Sequence, residues 1–280
     1  SLEELQADPA KARGRIVLFD VPFTSYGETV RYRTNGAVWA AQAGAAASLI
    51  RSVTPYSMQT PHTGGMSYEE GVRRIPHAAL TLEDATLIRR LTEAGERVEV
   101  ELRMEAETLP DVPSRNVVAE VRGSERPEEV VVLGGHIDSW DVGQGAMDDA
   151  GGSVAAWEAV RLMKALGMRP RRTVRVVLWT NEENGLRGAT AYARDHADEV
   201  DDHVFAMESD AGVFQPTGFG FGGSDAGWEV FRRIAPLLER IGADGFRRGG
   251  GGADIGPLMR LGVPGAGLVV VRLPPPNETL

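Results

Sequence analysis

Cysteine is missing from all 280 residues. That excludes disulfides and thiolate metal ligands, so any bound metal must rely on imidazole and carboxylate groups. Histidine is scarce: the five are His62, His77, His136, His196 and His203, and none lies after Asp210. Basic residues are in deficit, 30 Lys and Arg against 40 Asp and Glu, for a formal charge of -10. A nucleic-acid partner is excluded on that ground, because phosphate binding needs clustered Lys and Arg to displace counterions. An acidic metal site and a surplus of surface carboxylates account for the charge equally well. No apolar run approaches ~20 residues, so no membrane span is expected. The chain opens at Ser1 without Met and without an apolar signal core, from which a processed or truncated chain is expected. The lack of cysteine does not separate cytoplasm from periplasm.

What is present is an ordinary globular composition, 42% hydrophobic and 25% charged, in a chain long enough for two domains. Residues 1–13 read as a partial N-terminal segment and 14–106 as a small α+β domain. Within the latter, RIVLFDV is a strand, AVWAAQAGAAASLIRSV an alanine-rich helix running into a second strand, and a Leu-Glu-Asp helix start follows near Thr81. RVEVELRM reads as a closing strand. His62 and His77 stand in polar loop context and are read as surface loop residues rather than ligands. ETLPDVPSRN, rich in turn formers, marks the boundary to a second domain over 107–280. There NVVAEVRG reads as a half-buried strand and EVVVLGG as one buried on both faces. A helix over Gly152–Leu166, TVRVVLWT, GATAYARDH, VFAMES and one long helix GWEVFRRIAPLLERIG follow in alternation. That order predicts an α/β fold, a parallel-rich sheet with helices on both faces and its ligand site at the carboxyl ends of the strands.

Three of those strand ends carry metal-seeking residues: His136-Ile137-Asp138, then Glu182-Glu183, then Asp210. In extended backbone, residues i and i+2 point the same way, so Asp138 can orient His136 or support a metal from behind its ligands. A hydrogen-bonded strand-end His is the plainer alternative. Asp148 and Asp149 open the helix, where either serves as an N-cap. Two adjacent carboxylates at 182 and 183 divide naturally into a ligand and a proton carrier. One His with several carboxylates suits zinc, with manganese or cobalt as alternatives.

HIDSWDVGQGAMDDAGG, LWTNEENGLRGA and MESDAGVFQPTG are similar to the three signature segments of co-catalytic dizinc exopeptidases, and in detail resemble the carboxypeptidase Q-like family. PFTSYGETVRYRTNGAVWAAQAGAAASLIRSV and PHTGGMSYEEGVRRIPHAALTLEDA resemble that family's protease-associated insert domain, and GGGGADIGPLMRLGVPGAG its late loop. The resemblance implies a doubly wound three-layer sandwich with a mostly parallel sheet, carrying the smaller insert. It implies Zn2+, two per intact site: His136 and Asp210 on one ion, Asp148 bridging, Glu183 on the second, Glu182 as general acid/base and Asp138 behind the ligands. Asp254 would line the substrate cleft; a turn Asp among glycines is the plainer reading. A peptide substrate, a secreted or periplasmic location and a homodimer are carried by the resemblance alone.

The chain departs from the family in one respect. The second zinc there takes a late His, typically from a His-His pair after an aromatic run, whereas here GVPGAG leads into LVVVRLPPPNETL. The expectation is a zinc peptidase domain truncated at its C-terminus and impaired by loss of that ligand. Arg-Leu-Pro-Pro encoded CGA CTA CCA CCA, read one base over with flanking TT and C, gives Phe-Asp-Tyr-His-His, so a frame error would explain the tail. The alternatives are a non-catalytic binding or scaffold protein with a degenerate site, and a single-zinc glutaminyl cyclase-like acyltransferase.

Overall fold

Ser25, Thr81, Asp149 and Ser224 each place a side-chain oxygen on an amide that the first turn of a helix leaves without a partner, and so set where four helices begin. The computed structural model describes residues 1–56 and 59–271. The chain divides into two compact units, with the division after Pro110. Among the described residues no helix is long and apolar enough to cross a membrane. Residues 272–280, on which the frame-error expectation rests, lie outside the described residues.

In the first unit, α1 (Leu2–Ala7) precedes a three-stranded parallel sheet in the order β1-β2-β3, formed by β1 (Ile16–Phe19), β2 (Ala47–Arg51) and β3 (His77–Leu80). Helix α2 (Tyr26–Gln42) follows β1, and α3 (Leu82–Glu93) follows β3. Phe19, Tyr32, Ala37, Ala40, Ile50 and Ile75 form its core. The alanine-rich helix thus begins 11 residues earlier than the apolar run suggests, at the Ser25 cap. His77 opens β3, buried, with Nδ1 2.7 Å from Ser48 Oγ, and is not a loop residue. RVEVELRM is not a strand: Val98, Val100 and Leu102 alternate half-buried with exposed charges. The alternation is real, but among the described residues no neighbouring strand supplies ladder hydrogen bonds, and these define a strand more than side-chain pattern does.

The second unit holds a seven-stranded sheet in the order β4-β6-β5-β7-β10-β8-β9. Its strands are β4 (Val117–Val121), β5 (Arg126–His136), β6 (Arg172–Trp179), β7 (His203–Glu208), β8 (Pro216–Gly222), β9 (Arg247–Arg248) and β10 (Gly265–Val270). The central pairs β6-β5-β7-β10 are parallel, whereas β4 on β6 and β8 on β10 run antiparallel. Alternation along β6 splits its side chains between two cores. Val174 and Val176 pack with Ala156 and Val160 of α4 (Ala150–Ala165); Val177 and Trp179 pack with Ala189 and Tyr192 of α5 (Arg187–Asp195) and Leu258 of α8 (Gly256–Arg260). The result is three layers, mostly parallel in the middle. β4 lies at the edge with Val117 and Val118 about half exposed, less buried than its alternation suggests. The expected long helix is broken into α6 (Asp225–Phe231), a 3-10 turn, α7 (Ala235–Leu238) and a second 3-10 turn. Pro236 lacks an amide hydrogen and crowds the preceding turn, which interrupts the helical ladder.

Candidate metal centre

His136 is the last residue of β5, Asp210 lies two residues beyond β7, and Glu182 and Glu183 follow β6 through Asn181, whose φ of 59° is left-handed. Short polar Asn tolerates that conformation better than most side chains. Asp148 enters from the loop before α4. Three neighbouring parallel strands thus deliver these groups to one end of the sheet, as open α/β sheets do.

The His136 imidazole, 1% exposed, is the hub. Its Nδ1 lies 2.8 Å from the Asp138 carbonyl oxygen. A carbonyl only accepts, so Nδ1 carries a proton and Nε2 faces the acidic groups. From Nε2, Asp148 Oδ1 is 2.9 Å away, Asp210 Oδ1 3.7 Å and Glu182 Oε2 3.9 Å. His136, Asp148 and Glu183 each offer a donor atom within 4.8 Å of the others, and so do His136, Asp149 and Asp210. The five side chains at 136, 148, 182, 183 and 210 therefore meet in one cluster.

Asp149 has a different part. Its Oδ1 accepts from Gly152 N at 3.1 Å and its Oδ2 from His136 N at 3.1 Å. Both oxygens are occupied and the side chain is buried, so capping α4 while holding the ligand-bearing strand end describes it better than metal binding. Gly135 makes this approach feasible, because a Cβ there would collide with the Asp149 carboxylate. Ser153 adds a hydrogen bond from Oγ to the His136 carbonyl at 2.9 Å.

Asp138 corrects the expectation that its carboxylate orients His136. That carboxylate stands 3.7 Å from Nδ1, while its own main-chain carbonyl makes the bond. The carboxylate instead accepts from Glu182 N at 3.0 Å and Glu183 N at 3.3 Å. Asp254 is 1% exposed and lies near enough to Glu208, Glu182, His136 and Asp210 to be influenced by their charges. The amides on either side of it, Ala253 N and Ile255 N, each bind the Glu208 carboxylate at 2.9 Å and draw the loop inward, and both Asp254 carboxylate oxygens lack a hydrogen-bond partner. Glu208 itself, a buried acid in the apolar VFAMES strand, goes unremarked in a pattern reading; a carboxylate at an inward strand position is the signal for it.

Electrostatics point to a demand for positive charge. Burial disfavours charged His136, yet the carboxylates of Asp148 and Asp210 push it up to about 12. Burial, then the charges of Asp210, Glu183 and Glu208, push Glu182 up to about 7 against the opposing pull of His136. Burial foremost also raises Glu183, takes Asp149 and Glu208 to about 7, and takes Asp254 to about 8. A proton on His136 supplies the cationic charge that a divalent ion would supply more fully. The donors are oxygen and nitrogen only, which suits zinc. The other histidines lie elsewhere: His62 meets Arg33 and His77 meets Ser48 in the first unit. His196 stacks on Tyr192, and His203 Nε2 meets the Tyr192 hydroxyl at 3.0 Å.

The sequence profile described as Peptidase family M28 matches residues 116–279. Carboxypeptidase Q of Homo sapiens is 48% identical over 269 residues, which covers 96% of this chain and 57% of that protein. The crystal structure of a Peptidase M28 precursor from Shewanella amazonensis SB2B superposes with a TM-score of 0.90 at 36% identity, covering 96% of this chain and 62% of that one. A zinc aminopeptidase from Bacillus subtilis shares the fold at 20% identity, with a TM-score of 0.58 over 93% of this chain and 61% of that one. The chain spans a little over half the length of the curated relatives it matches.

Proposed function

The chain belongs to peptidase family M28, and we propose that it is a zinc-dependent exopeptidase acting on dipeptides or short peptides. In this reading His136, Asp148, Glu183 and Asp210 hold the metal and Glu182 carries the proton. Bound zinc supplies Lewis acidity to the scissile carbonyl and to the attacking water.

The observation that carries the reading is the placement of Glu182. Its carboxylate lies 3.9 Å from His136 Nε2, among the ligand atoms, with its affinity for protons raised to about 7. A carboxylate so placed can accept the proton lost by the attacking water and return it to the departing amine. Asp138 fixes the main chain of Glu182 and Glu183 and keeps the proton carrier and the ligand in register. His136, locked as a donor at Nδ1 toward Asp138, turns Nε2 toward the metal position.

A single imidazole limits the site. Among the described residues His136 is the one histidine in either candidate ligand group, and a second ion would depend on Asp148 and Glu183 with no imidazole of its own. Two protein ligands make a weak zinc site. The proposal is therefore one firmly held zinc and reduced turnover for this chain. Metal analysis after dialysis, paired with dipeptide hydrolysis, tests it: about one zinc and slow hydrolysis support it, and a chain with neither fits the non-catalytic alternative.

A further inference from the structure

Residues 97–105 of the first unit, RVEVELRME, carry the side-chain pattern of a strand and, among the described residues, pair with none. Arg97 reaches Glu99, and Arg103 Nε reaches Glu101 Oε1 at 2.8 Å. Side chains two apart share a face in extended backbone and not in a helix. The two faces differ in character. Val98, Val100 and Leu102 are half-buried, and the two valines line a cavity with Ile16, Leu18 and Leu49 of the sheet. Arg97, Glu99, Glu101 and Arg103 stand in solvent. An extended segment with an apolar row and an unpaired main chain is a template for another strand.

The order of charges selects the partner. Two copies of the segment laid parallel and in register set every charge against its like. Laid antiparallel about Val100, they oppose Arg97 to Arg103 and Glu99 to Glu101, which is again unfavourable. Laid antiparallel about Glu101, they oppose Arg97 to Glu105 and Glu99 to Arg103, each twice by symmetry, with Val98 facing Met104 and Val100 facing Leu102. Glu101 alone then meets its own copy. A slip of one residue would set the valines of one copy on the charged face of the other. We propose that two copies of this chain associate through residues 97–105, paired antiparallel about Glu101 as a symmetric two-stranded ribbon. The half-buried apolar row gives each strand the backing that an isolated ribbon lacks. The contact is small, so association is weak and depends on concentration. It is independent of the peptidase reading.

The chain has no cysteine, so an introduced one reports on this contact alone. Opposed residues of an antiparallel pair have Cα atoms ~4.5–5.5 Å apart, within the disulfide span of ~4.4–6.8 Å. Glu101→Cys is therefore expected to give a disulfide-linked dimer of the full chain under mild oxidation. Arg97→Cys is the control, since Arg97 is 87% exposed against 72% for Glu101. In the ribbon its two copies lie ~27 Å apart, and it should cross-link roughly tenfold more slowly. Arg103→Glu in the Glu101→Cys background should slow trapping toward the control rate. Adding Glu99→Arg to that variant should restore it, because the opposed pair returns with its signs exchanged. Sedimentation velocity supplies a non-covalent measure: the dimer fraction should rise with concentration, and further in Glu101→Gln, which removes the like-charged pair. Equal rates at 97 and 101, faster trapping by Val100→Cys than by Glu101→Cys, or a charge-swapped variant as slow as Arg103→Glu alone overturns the proposal. A monomer at every concentration with no trapping at 101 overturns it as well.

Discussion

Asp138 accepts the main-chain N–H of Glu182 at 3.0 Å, and through its second oxygen that of Glu183 at 3.3 Å. One carboxylate from the β5 end thus holds two residues from the β6 end. Asp138→Asn keeps one acceptor and presents a donor to the other amide, so one of the two bonds is lost. Removal of such a support behind a metal site costs ~10–100-fold. The expected outcome is a fall of that size in kcat for dipeptide hydrolysis, with KM changed less; unchanged kcat contradicts the positioning role.

Asp149→Ala removes the α4 cap and leaves the buried His136 amide without its acceptor. A lost cap costs ~1 kcal/mol and an orphaned buried amide about 1–3 kcal/mol. Denaturant titration should show a loss of roughly 2–4 kcal/mol from the two together. Asp149→Asn, which can still accept at one oxygen, should lose less.

Tyr192 joins two elements through its hydroxyl, which accepts from Arg175 at 2.9 Å and meets His203 Nε2 at 3.0 Å. His203 Nδ1, facing the Glu199 carbonyl at 3.0 Å, carries the proton, so Nε2 accepts from the hydroxyl. Tyr192→Phe should lower stability by about 1–3 kcal/mol and leave zinc content unchanged. A fall in bound zinc would show that this cluster and the metal centre are coupled.

The metal-free chain should lose stability as pH rises from about 5 to 8. Burial raises Asp149, Glu182 and Glu208 to about 7 and Asp254 to about 8. Above the ordinary carboxylate range the unfolded chain has released protons that the folded chain still holds, which favours unfolding progressively until the folded groups ionise. His136 works in the same direction above its unfolded value of 6.5, because its folded value is pushed up to about 12. His203, lowered chiefly by burial, opposes the trend by losing its contribution below about 6.5. Calorimetry in chelator should therefore give a melting temperature that falls across this range, with the largest gain on zinc addition near pH 8. A metal-free melting temperature that rises toward pH 8 contradicts the effect of burial on these carboxylates.

The α/β alternation and the strand-end cluster are legible because both rest on local pattern. Apolar runs of strand length ending in His136, Glu182-Glu183 and Asp210 need only the rule that parallel strands present their carboxyl ends together. What stays hidden depends on partners distant in sequence. RVEVELRM has the alternation of a strand and, among the described residues, lacks a neighbour to pair with. The turn of the Asp138 carboxylate toward Glu182 is decided by an amide more than 40 residues away in the chain, and the inward draw of the Asp254 loop by the Glu208 carboxylate, also more than 40 residues away. Pro236 was visible throughout, but its effect on the helix after β8 is outweighed in a pattern reading by the apolar periodicity around it.

Glu182→Gln is the most direct test of the central claim that Glu182 moves a proton without binding the metal. Zinc per chain and dipeptide hydrolysis should be measured on the same preparation. The expected result is zinc content equal to wild type with kcat reduced by ~100-fold or more. Loss of zinc together with activity would make Glu182 a ligand, and retention of activity would remove it from the reaction.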